Sequence, residues 1–450
     1  MQIWELINYI LFYVTTVQLE YEYKSRLVDS IIAEKLRLFG AVVIIGPKWC
    51  GKTTTAEQFC KSAIYMQDPD NSKRYHEIAS LHMSLLLEGE NPRLIDEWQM
   101  EPGLWDAVRY SVDRRHAKGL YILTGSTTYR PAIRQHSGAG RIAKVVMRTL
   151  SLYESGDSSG EVSLGRLFTE GSVSGISPHT ASDIARLIVR GGWPDAVFSG
   201  NDGDIITDYC EAILDSDIFI DGKKRNRRKM ELILRSLARN VSTAVSDTVI
   251  YNDVLGISKD ESDHQLDELE TEGKAMSMDT MISYMDALED ICMIENLPAW
   301  CPKLRSKARI RKSDVRYLCD PAIAAHFLGA GARDLEFYPE TEGLLFECMA
   351  IRDLRTYAQS NNGKLYAYRD STGLEVDCIV HLNDGRWGAI EIKLSPDKVD
   401  KAASGLKRLK EKVDIEERNK LSFMAIITGT GYAYTRPDGI HVIPIGCMRD

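Results

Sequence analysis

The sequence predicts an α/β protein of three blocks, and three patterns predict it. Short β-branched runs alternate with amphipathic helical stretches from Tyr23 to about Gly200, helical periodicity dominates from about Lys229 to Ala330, and a helix followed by strands occupies Arg333 to Asp450. In the first block the runs are Ala41–Ile45, Arg93–Asp96, Leu120–Thr124 and Lys144–Met147. They are continuous rather than alternating, as in strands covered on both faces, so a parallel sheet between helical layers follows.

In the middle block Leu232, Leu234, Leu237 and Val241 mark one helix, and Met281, Ile282, Met285, Leu288 and Ile291 another. The stretch Cys292–Pro298 then reads as a short β excursion, and helices followed by such a ribbon fit a winged-helix-like module. The last block opens with a helix from about Glu342 to Tyr357. It continues with strands Leu365–Arg369, Leu374–Leu382 and Trp387–Leu394, a charged helix after Pro396, and a strand Ser422–Thr428. Asn361-Asn-Gly363 and Asn383-Asp-Gly385 supply reversals, the second a hairpin. The expected division is an N-terminal extension 1–22, a parallel-sheet domain 23–200, a basic linker 201–228, a winged-helix-like domain 229–330 and a C-terminal domain 331–450.

Composition narrows the classes. With 450 residues, 44% hydrophobic and 27% charged, the chain can bury two or three cores, which excludes disorder, collagen-like repetition and a disulfide-stapled miniprotein. Lys+Arg 56 against Asp+Glu 65 leaves a net charge of −9, so this is no globally basic nucleic-acid coat; contact with a polyanion must come from local patches. Nine cysteines without a Cys-x-x-Cys pair fit core thiols in a reducing, cytoplasmic setting. The apolar stretch Ile3–Leu19 carries Glu5, Asn8, Thr15, Thr16 and Gln18 and no basic start, so an extension or packing helix is expected there rather than a membrane span.

Gly46-Pro47-Lys48-Trp49-Cys50-Gly51-Lys52-Thr53 satisfies G-x-x-x-x-G-K-[ST] between a buried strand and a helix starting near Thr54. Glycines let main-chain N–H groups approach phosphate, and the helix N-terminus adds positive partial charge. The expected ligand is ATP with Mg²⁺: Lys52 reaches the β- and γ-phosphates, and the Thr53 hydroxyl binds the metal. Leu94-Ile-Asp96-Glu97 supplies Asp96 for the metal side and Glu97 to orient or deprotonate the attacking water. Thr124 and Ser126, at the end of the next strand, are the candidates for sensing the γ-phosphate; turn chemistry alone would equally make them a strand cap.

Together, Gly46 to Thr53, Leu94-Ile-Asp-Glu-Trp-Gln99, Leu104-Trp-Asp106, Leu123-Thr-Gly-Ser126, His136-Ser-Gly-Ala-Gly-Arg141 and Gly191-Gly-Trp-Pro194 resemble the prokaryotic AAA-type ATPases fused to a C-terminal domain of unknown function. The resemblance covers nearly all of the chain from Tyr23 onward. Lys48 stands where an arginine is common. The resemblance implies an ATPase, nominates Arg141 as a finger acting on a neighbour's nucleotide in a homo-oligomer, and more weakly nominates Arg190 as a nucleotide-sensing arginine. Each reads equally as a surface arginine.

In the last block Leu344, Glu347, Ile351 and Leu354 share one helix face, and a carboxylate on an apolar stripe needs neutralising. Asp377 lies on the second strand, and Glu391 and Lys393 share a face of the third, about 7 Å apart along it. A helix Glu, a strand Asp and Glu-x-Lys resemble the PD-(D/E)xK restriction-endonuclease-like core. That resemblance implies Glu347, Asp377 and Glu391 as Mg²⁺ ligands and Lys393 as the support of the attacking water. A solvated Glu-Lys pair is the alternative.

Lys223–Lys229 packs six cations into seven residues, and Lys303–Arg316 adds seven against one Asp. Both runs flank the middle module, so DNA is an expected partner, although the acidic Asp260–Glu272 segment can pair with them as well. The expected function is an ATPase whose nucleotide state drives a nuclease-like or DNA-binding tail. The alternative is a nucleotide-switched interaction protein with an inactive tail.

Overall fold

The computed structural model describes residues 23–125, 137–199, 204–216, 219–220, 223–224, 226–256, 276–302 and 313–450. The extension 1–22, Ser126, the cations between 303 and 312 and the Asp260–Glu272 segment lie outside the described residues. The chain divides into two compact units, Met1–Arg148 with Asp290–Cys292, and Thr149–Glu289 with Met293–Asp450.

The first unit runs α1 (Val28–Leu38), β1 (Ala41–Ile45), α2 (Lys52–Glu57), β2 (Ser62–Tyr65), α3 (Ser72–His82), β3 (Arg93–Asp96), α4 (Gly103–Arg115), β4 (Tyr121–Gly125) and β5 (Ile142–Val146). All pairings are parallel, in the order β2-β3-β4-β1-β5. β1 is buried along its whole length, because alternate residues serve two cores. Val42 and Ile44 pack with Val28, Ile32 and Leu36 of α1, while Val43 and Ile45 pack with Leu104, Trp105 and Val108 of α4.

A residue such as Ile44 contributes about 1.5–3 kcal/mol by this burial. β2 escaped the apolar pattern because it is four residues long and opens on Ser62. That serine is buried and accepts a 2.9 Å hydrogen bond from the Arg93 guanidinium, which makes the charge that opens β3 a core residue. Parallel pairing gathers the C-terminal ends of β1, β3 and β4 on one edge, and the motif residues lie there.

The second unit opens with α5 (Leu152–Ser155), β6 (Val162–Ser163), β7 (Gly175–Ile176), α6 (Ala181–Arg190), α7 (Pro194–Phe198) and α8 (Asp204–Ser216). The short pair β8 (Phe219–Ile220) and β9 (Lys223–Lys224) follows, then α9 (Arg227–Arg239), α10 (Asp247–Leu255), α11 (Met278–Asp290), α12 (Pro321–Leu328) and α13 (Ala332–Phe337). Isolated antiparallel bridges join Thr243 to Arg316, Ile294 to Leu318 and Leu297 to Val315.

The 22-residue α14 (Pro339–Ser360) leads into β10 (Gly363–Arg369), β11 (Glu375–Leu382), β12 (Trp387–Lys393), α15 (Val399–Lys412), α16 (Ile415–Lys420), β13 (Leu421–Thr428), β14 (Tyr432–Thr435), β15 (His441–Pro444) and β16 (Met448–Arg449). A mixed seven-stranded sheet has the order β10-β11-β12-β13-β15-β14-β7, and β16 pairs with β6. Residues 149–199, grouped with the first block by their strand and helix alternation, therefore add strands to the second unit.

A buried ionic centre joins distant parts of this unit. Arg352 of α14, 2% exposed, donates to Asp320 Oδ2 at 2.9 Å and to Asp353 Oδ1 at 2.9 Å. Asp320 also accepts from the Thr149 hydroxyl (2.7 Å) and from the main-chain N–H of Gly192 (3.0 Å) and Ala322 (3.1 Å), and Asp353 accepts from the Leu152 N–H at 3.0 Å. Removing Arg352 leaves two buried carboxylates without their cation. Arg352→Ala should therefore destabilise the second unit by about 3–5 kcal/mol, seen as a lowered denaturation midpoint, and an unchanged midpoint would contradict this account.

Candidate functional site

The loop 46–51 leaves the buried β1 and enters α2. Gly51 takes φ +98°, a left-handed conformation that side-chain-bearing residues rarely adopt, and a Cβ on Gly46 would fall 2.1 Å from the Met147 carbonyl oxygen. Cys50 is fully buried with its Sγ 3.8 Å from that oxygen, whereas Trp49 stands 59% exposed. Lys52 is buried, and its ammonium donates to the carbonyls of Gly46 (3.0 Å) and Pro47 (2.7 Å). Lys48, Thr53 and Thr54 are half-buried. The positive end of the helix, the lysine and the glycine turn thus converge on one loop.

Asp96, at the end of β3, is the hub. Its Oδ1 accepts the hydroxyl of Thr53 at 2.6 Å and that of Thr124 at 2.6 Å. Burial raises the Asp96 pKa, while the two hydroxyls and the Lys52 charge oppose that rise. Thr124, expected as a γ-phosphate sensor, is thus engaged with Asp96. Glu97 takes a positive φ of 53°, a strained conformation for a non-glycine residue, and its carboxylate accepts from the Gln99 side-chain amide.

Of the arginines, Arg141 pairs with Asp113 of its own chain, Nε to Oδ1 at 2.8 Å, and donates to the Ala139 carbonyl at 3.1 Å. Arg190 lies in the second unit, where its guanidinium is 2.5 Å from Asp157 Oδ2.

In the second unit the structure brings Glu347, Asp377, Glu391 and Lys393 into one electrostatic cluster. The Lys393 ammonium lies 2.8 Å from Asp377 Oδ2 and 2.7 Å from Glu391 Oε2, and Asp377 Oδ2 also accepts the Ile392 N–H at 2.7 Å. Burial first, then the Asp377 charge, pushes both Glu347 and Glu391 above the usual carboxylate range, against the pull of Lys393. Burial alone would lower the lysine, but the two acids more than offset it and raise it.

Glu347, Asp377 and Glu391, the acids expected as metal ligands, thus share one cluster with Lys393. Among the described residues no group of three His, Cys, Asp or Glu side chains is placed to hold a metal ion. The Lys393 ammonium takes the bridging position between two of the acids.

Sequence reasoning missed Tyr317, whose hydroxyl donates to Glu347 Oε1 at 2.6 Å beneath the Arg355 guanidinium, 5.4 Å above the ring. It also missed Arg26, which donates to the Cys50 carbonyl. Neither residue belongs to a periodic pattern or a motif.

Residues 39–155 match the AAA domain family, residues 181–334 the Domain of unknown function (DUF8612), and residues 342–448 the Domain of unknown function (DUF4143). The phosphate loop, Asp96 and Thr124 all fall within the first match, so the first unit carries an AAA-type P-loop ATPase domain. No curated protein sequence matches the chain. Among solved structures, the Walker-type ATPase paby2304 of Pyrococcus abyssi is 13% identical with a TM-score of 0.40, over 71% of this chain and 99% of that one. The Hsp104-ADP complex of S. cerevisiae is 16% identical with a TM-score of 0.24, over 74% of this chain and 45% of that one. At these scores neither likeness bears on fold or function. No helix of the described residues is long and apolar enough to cross a membrane.

The raised pKa of Glu347 has a sign. A carboxyl that holds its proton more tightly when folded contributes stability that is complete below its ordinary unfolded pKa and is lost as pH rises through the folded value. Glu347→Gln removes that loss, so its thermal midpoint relative to the parent should climb from pH 5 to pH 8. A difference independent of pH would show that Glu347 is not held protonated by its surroundings.

Proposed function

We propose that the chain binds and hydrolyses ATP with Mg²⁺ at the phosphate loop, and that its nucleotide state is coupled to a DNA-binding, nuclease-like tail in an oligomer of this chain. The observation that carries the first part is the shared Asp96 oxygen, which ties Thr53 of the loop helix to Thr124 at the end of β4. Thr53 and Asp96 would hold the metal, which when bound neutralises charge on the phosphate oxygens.

Lys52 would exchange its two loop carbonyls for phosphate oxygens, and Glu97 would orient the attacking water. Arg141 would serve a neighbouring subunit only by leaving Asp113. Lys52→Ala should lose ATP binding, and Glu97→Gln should bind ATP without turnover. Undiminished ATP affinity in the first variant, or parental phosphate release in the second, would refute the respective assignment.

For the middle region, the order of α9, Thr243, α10, α11 and the bridged segments 294–297 and 315–318 supports a winged-helix-like reading, with residues 303–312 between the paired segments. The cations Arg227, Arg228 and Lys229 open α9, and a phosphate-tracking role for them would make DNA binding steeply salt-dependent.

For the tail, clustering of Glu347, Asp377, Glu391 and Lys393 supports the nuclease-like reading. The Lys393 bridge favours a second one, a nucleotide-switched scaffold with an inactive tail. Incubation with linear, circular and single-stranded DNA, Mg²⁺ or Mn²⁺, with and without ATP, separates them. Cleavage that disappears in Asp377→Ala supports a nuclease, and none under any condition favours the switch.

A further inference from the structure

The phosphate loop is held from behind by a residue that lies ahead of the AAA match. Arg26 is 8% exposed, and its guanidinium forks between two carbonyls, Cys50 of the loop at 3.0 Å and Arg148 beyond β5 at 2.9 Å. The turn that carries it is closed locally. The Arg26 N–H donates to Asp29 Oδ2 at 2.9 Å, and the Tyr23 hydroxyl donates to Asp29 Oδ1 at 2.8 Å and lies 3.0 Å from the Thr55 hydroxyl on α2.

The consequence lies in the peptide that Arg26 grips. Among the described residues the only cis bond is Asn91–Pro92, so the Cys50–Gly51 peptide is trans and planar. In such a unit the C=O and N–H point in opposite directions. Fixing the Cys50 carbonyl on Arg26 therefore fixes the Gly51 N–H on the side away from it. Main-chain N–H groups of this glycine-rich turn are the ones that cradle phosphate.

Gly51 is free of side-chain restraint and already sits at φ +98°, so nothing intrinsic to the residue holds this amide in one orientation. The buried Cys50 side chain and the guanidinium do so instead. Lys52 holds Gly46 and Pro47 in a comparable way, but it must release them to reach a phosphate, whereas Arg26 can keep its grip throughout.

We propose that Arg26 is a positioning residue for nucleotide binding: it orients the Gly51 amide toward the phosphates without touching them. The proposal rests on the phosphate loop being the ATP site. The planar fork matters because two separate nitrogens span the carbonyls, Nη1 to Cys50 and Nη2 to Arg148, which the single nitrogen of a lysine on its different stem does not reproduce.

The test compares Arg26→Ala, Arg26→Lys and Lys52→Ala in the full chain, by equilibrium ATP binding, steady-state phosphate release and thermal midpoint without nucleotide. Charge-assisted hydrogen bonds of this kind predict that Arg26→Ala raises KM for ATP by about tenfold or more, with kcat changed much less and Arg26→Lys intermediate. A general loss of structure would instead lower the nucleotide-free midpoint and kcat together.

ATP affinity within about twofold of the parent in folded Arg26→Ala, with binding lost in Lys52→Ala, would overturn the Arg26 role alone. Should Arg26→Ala fail to fold, unchanged affinity in Arg26→Lys would overturn it equally. Parental ATP affinity in Lys52→Ala would remove the site reading and the Arg26 proposal with it.

Discussion

One carboxylate oxygen organises the first unit. Asp96 Oδ1 is buried at the edge of a parallel sheet and must be satisfied there, since a bare carboxylate in that position would be costly. The hydroxyls of Thr53 and Thr124 do so, and in doing so they fix the start of α2 against the ends of β3 and β4. The position of the loop follows from that constraint. β1 delivers it, Asp96 anchors its helix, and Met147 packs so close to Gly46 that only a hydrogen fits between them.

Two lysines illustrate the same physical problem in different settings. Lys52 is buried and Lys393 half-buried, and both are satisfied by oxygens of the fold, main-chain carbonyls for one and carboxylates for the other. A carbonyl is a neutral acceptor, easily given up for a phosphate. Two carboxylates form a much deeper well for an ammonium, and the pKa of Lys393 rises accordingly. The loop lysine thus rests on neutral acceptors, and the C-terminal lysine on charged ones.

Much of this was legible in the chain itself. The run Ala41–Ile45 coincides with β1, because a strand buried on both faces leaves an unbroken apolar signature. Lys52 follows from the loop motif, and the run Leu94-Ile-Asp96-Glu97 marks the strand whose end the structure sets beside Thr53. What stayed hidden depends on contacts between residues far apart in sequence. Arg93 opens its apolar run with a charge, and its partner Ser62, whose hydroxyl accepts its hydrogen bond, lies 31 residues away. Tyr317 and Glu347 meet across 30 residues, and no period or spacing announces such a pair. The pairing of Lys393 with both Asp377 and Glu391 likewise depends on how two neighbouring strands register.

The Arg352 centre gives the second unit a property that its division into matched segments conceals. Asp320 lies inside the 181–334 match, Arg352 and Asp353 inside the 342–448 match, and Thr149 ahead of both. Cutting the polypeptide between the two would leave Asp320 in one fragment without its guanidinium, and Arg352 in the other with Asp353 as its remaining acid. These stretches are consequently halves of one folding unit, and genetic shuffling could transplant neither without its counterpart.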